Sequence, residues 1–433
     1  MSKTKYMNRL EKVIEGIRLT AEKMGIHPSE VTKAHFQKHV DNVSSWDIRE
    51  VGGIAAVKKS HFPIVTKDLV TIREQKETAK YISDLEKKIG DKEHFEREIL
   101  KNINNIVTPK TVKAYTTPKT KKKKMHREIV MMLNDVHYGL RVDSVEVGGV
   151  NSFDWKEAGR RTALFTKQAI DYKADKRDEV ECLHVILNGD IVQGIIHDLT
   201  ARTAHLLVHQ INGAVHILSH MITHLASNYK KVVVHGVSGN HDDAVHRREG
   251  GRVLSHKYDS YTNMVYYSLS AMFRDQSNVD FNFPKSLYGT IDLPSGRICY
   301  THGDTMFSSA LGNPSKRLNT SSLGDLLSRF NMGESEKGNP KIKLFMFGHV
   351  HSHAELTTFD GTRVMVAPSL SGVDAFASSL AINHNQIGQI MFESTKDYLI
   401  GDKRLVELTN ADDDSKLDKI IPVFKNELSY EGK

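Results

Sequence analysis

The segment Leu183–Asp190 reads LHVILNGD, an apolar run that ends in an amide, a glycine and a carboxylate. A short apolar run bounded by turn residues predicts a buried strand with polar groups at its carboxyl end. Four other segments repeat this pattern, and in chain order they are Ile129–His137, Lys231–Asp242, Arg297–Asp304 and Leu344–His351. These runs alternate with helical stretches as far as about Tyr398, which predicts a layered α/β domain.

The polar ends of these five runs carry the same few types of side chain. Each end offers a carboxylate, an amide or an imidazole, and none offers a thiolate. In a layered α/β sheet, groups just beyond the carboxyl ends of strands meet at one edge, so distant segments can form one site. A mixed set of nitrogen and oxygen donors suits Mn, Fe or Zn better than Ca or a structural cysteine site. The pattern therefore predicts a metal centre.

Five short blocks of the sequence resemble, in order, the metal-binding blocks of the calcineurin-like metallophosphoesterases. They are Asp135-Val136-His137, Gly189-Asp190, Gly239-Asn240-His241-Asp242, His302 and Gly348-His349-Val350-His351. The resemblance covers roughly residues 129–395 and implies a layered β-sandwich metallophosphoesterase domain flanked by helices. It also implies two divalent metal ions as cofactors, with Mn expected first and Fe or Zn as alternatives.

The same resemblance implies a role for each polar side chain of these blocks. One metal ion would be bound by Asp135, His137, Asp190 and His351, and the second by Asp190, Asn240, His302 and His349. A metal-activated hydroxide would attack phosphorus. His241 would protonate the leaving oxygen as general acid, with Asp242 positioned to orient it.

Shifts in composition divide the chain into four parts. Residues 1–107 carry apolar residues at helical spacing and predict a small all-α N-terminal domain. Residues 108–127 are rich in Lys, Pro and Thr and predict a basic linker. Residues 128–400 hold the α/β domain. Residues 401–433 are charged and predict a C-terminal tail.

Short helices joined by tight turns are predicted in the first part of the N-terminal domain. The spacing predicts helices over Tyr6–Met24, from Glu30 through Phe36, and from Ser44 to Gly52, and charged helix continues over 66–106. Such a unit is typical of a helix-turn-helix that binds DNA, and equally of a bundle for packing or homo-oligomerisation. Both interpretations stay open.

The chain is basic, with a formal net charge of +7 at pH 7 and a pI near 9.0. This balance favours a polyanionic partner such as DNA. Four basic residues are predicted to bind the substrate, and they are Arg247, Arg248, Lys316 and Arg317. Together with the metal blocks they predict a two-metal phosphodiester hydrolase that acts on DNA. The chain is then similar to the nuclease subunits of double-strand-break repair complexes, although those place the metal domain at the N-terminus.

Two other functions fit the same blocks. The first is a phosphatase for nucleotides or phosphoproteins, because a fold and its metal centre do not choose among phosphate esters. The second is a non-catalytic DNA-binding regulator, although every expected ligand position carries a competent residue. Metal-dependent turnover and salt-sensitive DNA binding separate the three functions.

Composition argues against several other classes of protein. No window approaches the ~20 consecutive apolar residues that a membrane span needs, so no membrane partner is expected. The start, Met1-Ser2-Lys3, leads into an amphipathic pattern without an apolar signal segment, which indicates a cytoplasmic protein. Cys182 and Cys299 each lie beside an apolar run, so we expect no disulfide framework.

Overall fold

The structure is a computed structural model of the chain, and it divides into two compact units, Met1–His94 and Phe95–Lys433. It describes residues 3–62, 126–176, 180–195, 206–243, 257, 259–311, 318–379, 386–409 and 414–421. The charged helix predicted over 66–106 and nearly all of the linker predicted at 108–127 lie outside these residues. Among the described helices, none has the length and apolar character of a membrane span.

The described part of the first unit consists of short helices around a small apolar cluster. In chain order they are α1 (Lys3–Met24), a 3-10 turn (Pro28–Glu30), α2 (Lys33–His39), α3 (Ser45–Glu50) and α4 (Ile54–His61). Thr32 and Ser44 cap α2 and α3, and each side chain accepts a backbone hydrogen bond from three residues later. Gly16 gives the Phe36 ring room against α1, since a Cβ there would lie 2.7 Å from Cζ of Phe36.

The described part of the second unit contains two mixed β-sheets, which confirms the predicted α/β class. Its strands are β1 (Arg127–Leu133), β2 (Cys182–Asn188), β3 (Val232–Val237), β4 (Val279–Asn282), β5 (Gly289–Leu293), β6 (Gly296–Thr301), β7 (Ile342–Phe347), β8 (Ala354–Thr357), β9 (Arg363–Val366), β10 (Gly388–Thr395) and β11 (Lys403–Glu407). The first sheet has the order β11-β10-β1-β2-β3-β4, and the second has the order β5-β6-β7-β9-β8. Strands β1 to β4 are mutually parallel, as are β6, β7 and β9.

Helices cover the outer faces of both sheets. They are α5 (Trp155–Ala174), α6 (Leu207–Asn228), α7 (Tyr261–Met272), α8 (Ser308–Leu311), α9 (Thr320–Glu336), α10 (Ala375–Ser379) and α11 (Asp414–Ile420). Side chains of a strand alternate between faces. On β1, Val130 belongs to a buried cluster shared with Leu344 of the second sheet, whereas Met131 belongs to the cluster that includes Phe165 of α5. Cys182 and Cys299 are unpaired thiols, as expected.

The C-terminal region differs from the charged tail predicted at 401–433. Strand β11 pairs antiparallel with β10 at the edge of the first sheet. Leu408 and Leu417 are buried in the same cluster as Met131 of β1. An edge strand keeps charged side chains on its exposed positions, so the sequence is polar there although Val406 is buried. Residues 401–409 and 414–421 therefore belong to the α/β unit.

One buried arginine holds the loop behind the first predicted metal ligand. The guanidinium of Arg161 is 3% exposed and donates hydrogen bonds to the carbonyl oxygens of Leu370 (2.8 Å) and Ser371 (3.0 Å). It also pairs with Glu157 at 2.7 Å. The backbone N–H of Ser371 in turn donates to the carbonyl oxygen of Asp135 at 3.2 Å. Arg161 of α5 thereby supports the loop whose backbone contacts Asp135.

We predict that Arg161→Met lowers the free energy of unfolding by about 3–5 kcal/mol, because it leaves buried acceptors without a donor. Arg160→Met is the matched control, since Arg160 pairs with the same Glu157 but its side chain is 23% exposed. Its loss is expected to be about 1 kcal/mol or less. Urea-induced unfolding measures both values, and equal losses in the two variants would contradict the assigned role.

Candidate metal centre

Loops that follow five strands meet at one edge of the two sheets. These strands are β1, β2 and β3 of the first sheet and β6 and β7 of the second. The loops bring together all seven side chains that the resemblance implied as metal ligands, namely Asp135, His137, Asp190, Asn240, His302, His349 and His351. Parallel strands place their carboxyl ends at a common edge of a sheet, which explains why these side chains lie close together.

The first cluster consists of Asp135, His137 and His351. Their ligand atoms lie within 4.8 Å of one another. Nε2 of His351 is 3.2 Å from Oδ1 of Asp135 and 3.2 Å from Nε2 of His137. One carboxylate and two imidazoles at these distances surround a position that a divalent cation can take.

The second cluster consists of Asp190, His302 and His349, again with ligand atoms within 4.8 Å of one another. Nε2 of His302 is 3.1 Å from Oδ2 of Asp190 and 3.3 Å from Oδ1 of Asn240. The amide oxygen of Asn240 thus faces the same point. This cluster offers a carboxylate, an amide oxygen and two imidazoles.

Asp190 joins the two clusters. Its Oδ2 lies 3.1 Å from Nε2 of His302 in the second cluster and 3.9 Å from Nε2 of His137 in the first. Oδ1 of Asp135 is buried, and Nε2 of His351 approaches it at 3.2 Å without the geometry of a hydrogen bond. A buried carboxylate oxygen without a donor is costly unless a cation compensates it. The residues present therefore fit two adjacent divalent metal ions.

Five of the ligands have left-handed backbone conformations. Asp135, His137, Asp190, His349 and His351 have φ angles of 51°, 48°, 48°, 66° and 58°. They are the non-glycine residues with positive φ among those that the structure describes. Such residues cost about 1–3 kcal/mol each and persist where the surroundings over-determine them, commonly at functional sites.

Glycine is required where the loops after β2 and β3 approach each other. Gly189 has φ of 84°, and a Cβ there would lie 2.6 Å from the backbone nitrogen of Gly239. Any side chain at this position would push apart the turns that carry Asp190 and Asn240. The two turns therefore depend on the absence of a side chain at Gly189.

Backbone groups orient the ligands of both clusters. Nδ1 of His302 lies 2.9 Å from the carbonyl oxygen of Asn188, so Nδ1 carries the hydrogen and Nε2 faces the cluster. The backbone N–H of His349 donates to Oδ2 of Asp135 at 3.1 Å, and the side-chain amide of Asn134 also donates to that oxygen. Such contacts fix the tautomer and direction of metal ligands.

His241 lies beside the shared carboxylate. It forms a third group with His137 and Asp190, with ligand atoms within 4.8 Å of one another. Its Nδ1 is 3.0 Å from the carbonyl oxygen of Gln193. A carbonyl oxygen only accepts, so Nδ1 carries a hydrogen. Nε2 is then the atom that can exchange a proton with a substrate.

Asp242 acts on the backbone of the two metal-binding turns. Its carboxylate accepts hydrogen bonds from the backbone N–H groups of Gly239 (2.7 Å), Asp190 (2.8 Å) and Ile191 (3.2 Å). It thereby fixes the turn that carries His241, whose ring contacts Gln193. The predicted role of Asp242 in orienting the ring of His241 stays a prediction.

Opposite effects of burial and charge set the pKa values in the clusters. Burial lowers the pKa of a histidine, but the Asp190 carboxylate outweighs it and raises the pKa of His302 to about 10. Burial is likewise outweighed at His351, where the Asp135 carboxylate raises the pKa. Burial and then the charge of His302 lower the pKa of His349 to about 4. Protons on these imidazoles thus compete with a cation, and a bound cation must displace the proton of His302.

Sequence reasoning missed Lys257 and Asp304. Nζ of Lys257 is 2.6 Å from Oδ2 of Asp304 and donates to the carbonyl oxygen of Gly239 at 2.8 Å. The pair links the loop that carries Asn240 to the loop that carries His302. Asp304 belongs to a polar strand end and could have been found from that pattern, whereas Lys257 lies next to no such signal.

The basic residues predicted to bind substrate are Arg247, Arg248, Lys316 and Arg317. All four lie outside the described residues, so their role stays a prediction. Within the described ranges, Lys257 brings a positive charge to this edge of the sheets.

No family model matches this sequence, and no curated protein matches it. Among solved structures, the chain is similar to a predicted phosphoesterase from Streptococcus pneumoniae, with 12% identity over 65% of this chain and 99% of that chain and a TM-score of 0.26. A dimetal phosphatase from Danio rerio gives 10% identity, coverages of 66% and 100%, and a TM-score of 0.31. A 5'-nucleotidase from Candida albicans gives 10% identity over 70% of this chain and 56% of that chain, with a TM-score of 0.31. Similarity at this level assigns no function, so the side chains of the centre must carry the assignment.

We predict that binding of Mn²⁺ at pH 7 releases protons, because the cation displaces the proton of His302 and competes with protonation of His351, whose pKa is also raised. Both pKa values are raised, so the protons are present below the raised pKa and metal affinity increases as pH rises toward about 10, the pKa of His302. Calorimetric titration in two buffers with different ionisation enthalpies measures the release. Identical heats in both buffers would contradict the prediction.

Proposed function

We propose that the chain is a two-metal phosphoesterase of the calcineurin-like metallophosphoesterase superfamily, whose two sheets form a layered β-sandwich. The observation that carries the proposal is the position of Asp190. Its carboxylate is shared by two groups of buried ligands and lies beside His241. A shared carboxylate between two cation positions is what a two-metal hydrolytic centre needs.

The charge of the ligands suits an anionic ester. When bound, two divalent cations polarise a phosphoryl group and lower the pKa of water for attack on phosphorus. Asp135 and Asp190 contribute two carboxylates, while Asn240 and the neutral imidazoles contribute donor atoms without negative charge. The loaded centre therefore keeps a positive charge that attracts a phosphate ester.

We assign His241 as the general acid. Its Nδ1–H is held by the carbonyl oxygen of Gln193, and the turn that carries it is held by Asp242. Nε2 is the atom that delivers a proton to the leaving oxygen. Imidazole is the side chain that most often carries out such proton transfers.

We further propose that the ester is a phosphodiester of DNA and that Mn²⁺ is the first metal to test. The net charge of +7 and the run Lys119–Lys124 support a polyanionic substrate. In the first unit, Lys33 and Lys38 of α2 and Lys59 of α4 are exposed, as a helical module that contacts phosphates requires.

We predict Mn²⁺-dependent cleavage of linear single- or double-stranded DNA that is abolished in Asp190→Ala, because that substitution removes the ligand shared by both clusters. The assay is run beside p-nitrophenyl phosphate as a phosphomonoester. Asp171→Ala is the matched control, since Asp171 lies exposed on α5 and pairs with Lys167. It should keep full activity.

Each other outcome of this assay selects a different function. Hydrolysis of the phosphomonoester without DNA cleavage would replace the nuclease with a phosphatase for nucleotides or phosphoproteins. Absence of turnover with Mn²⁺, Fe²⁺ and Zn²⁺, together with DNA binding, would leave a non-catalytic regulator. DNA cleavage that survives in Asp190→Ala would point to a contaminating nuclease.

We predict that His241→Gln lowers the rate of DNA cleavage by about 10²–10⁴-fold, the usual contribution of a general acid. The rate with bis(p-nitrophenyl) phosphate should fall far less, because nitrophenolate leaves without a proton. His353→Gln is the control, since His353 pairs with Glu355 outside both clusters. Equal losses on both substrates would show that His241 has another role.

A further inference from the structure

Gln193 contacts two histidines of the centre at once. The residue is 4% exposed and lies in the turn that follows Asp190. Its side-chain Oε1 is 3.0 Å from Nδ1 of His137, and its main-chain oxygen is 3.0 Å from Nδ1 of His241. The two imidazole rings are nearly perpendicular, at 89°, with centroids 4.6 Å apart. Gln193 thus accepts a hydrogen bond from Nδ1 of both rings.

We infer that Gln193 is a positioning residue that fixes the tautomer and direction of both histidines, with its side chain serving the metal ligand His137 and its main chain serving His241. The inference rests on the proposed two-metal function, in which these histidines have those roles. An amide oxygen and a carbonyl oxygen both accept, so both Nδ1 atoms carry hydrogen. Nε2 is then the atom of each ring that lies opposite Gln193.

The direction of His137 agrees with this assignment. Its Nε2 lies 3.8 Å from Oδ1 of Asp135 and 3.9 Å from Oδ2 of Asp190, so the atom opposite Gln193 faces the two carboxylates. Without an acceptor at Nδ1, the ring could take the other tautomer and present an N–H to the metal position. Metal affinity would then fall, because only a nitrogen lone pair binds a cation.

The main chain of Gln193 is anchored independently of its side chain. Its backbone N–H donates to the carbonyl oxygen of Tyr138 at 3.0 Å. The next backbone N–H, of Gly194, donates to Oε1 of Gln210 at 2.9 Å. A change of the Gln193 side chain therefore leaves its carbonyl oxygen in place against His241. The two functions of the residue can be separated by substitution.

The uncharged amide is suited to a metal ligand. A carboxylate at this position would also accept from Nδ1 of His137 and would make the ring a stronger base. Gln193→Glu therefore keeps the acceptor, whereas Gln193→Met keeps the approximate shape and removes it. Comparison of these two substitutions tests the hydrogen bond itself rather than the volume of the side chain.

The experiment measures Mn²⁺ binding by calorimetry, which needs no turnover. We expect Gln193→Met to weaken Mn²⁺ binding by about 10–100-fold, the usual effect of losing the partner of a metal-bound histidine. Gln193→Glu should bind at least as tightly as the original chain. Because the main chain still holds His241, the loss in Gln193→Met should appear in Mn²⁺ affinity more than in kcat at saturating Mn²⁺.

The control is Gln210→Met, which removes the other side-chain support of the same turn without touching either ring. It should bind Mn²⁺ with unchanged affinity. Equal Mn²⁺ affinity in Gln193→Met and the original chain would overturn the inference, as would equal weakening in Gln210→Met or in Gln193→Glu. Failure of the original chain to bind Mn²⁺ would instead overturn the proposed function.

Discussion

Two carboxylates buried beside each other, Asp135 and Asp190, impose the main constraint on this structure. Burial opposes their ionisation, yet the imidazolium groups of His351 and His302 hold the pKa of both below the ordinary range. A pair of like charges in such a place demands positive charge nearby, as protons or as cations. The histidines supply that positive charge or leave room for a cation, and the amide of Asn240 adds a donor oxygen without adding negative charge.

The fold meets this demand because its two sheets share one buried face. Loops after β1, β2 and β3 supply the ligands from the first sheet and loops after β6 and β7 supply those from the second, so each cluster draws on both sheets. Val130 and Ile186 of the first sheet and Leu344 of the second lie in the same apolar cluster. The distance between the two sets of ligands is therefore set by the packing of that cluster, and a close-packed interior deforms little.

The side chains that meet at this edge could be predicted from the sequence because each follows a buried apolar run, and such runs are visible in the order of residues alone. Gln193 and Lys257 could not be predicted, since one acts partly through its main chain and the other bridges loops that only the fold brings together. The edge strand β11 was missed because three of its five residues are charged and only Val406 is buried. The basic residues predicted for substrate binding lie outside the described residues, so that part of the site stays a prediction.

Five ligands have a left-handed backbone conformation, so at these positions the side chain needed for metal binding is kept at a cost in folding stability. Glycine adopts such φ angles freely, so replacing Asp135, His137, Asp190, His349 or His351 with glycine would relieve about 1–2 kcal/mol of strain at each while removing a ligand. Selection for stability alone would favour that exchange. A lineage that had lost the chemistry would be expected to drift toward glycine there. Comparison of related chains at these five positions would thus separate chains that keep the metal-binding residues from chains that have lost them.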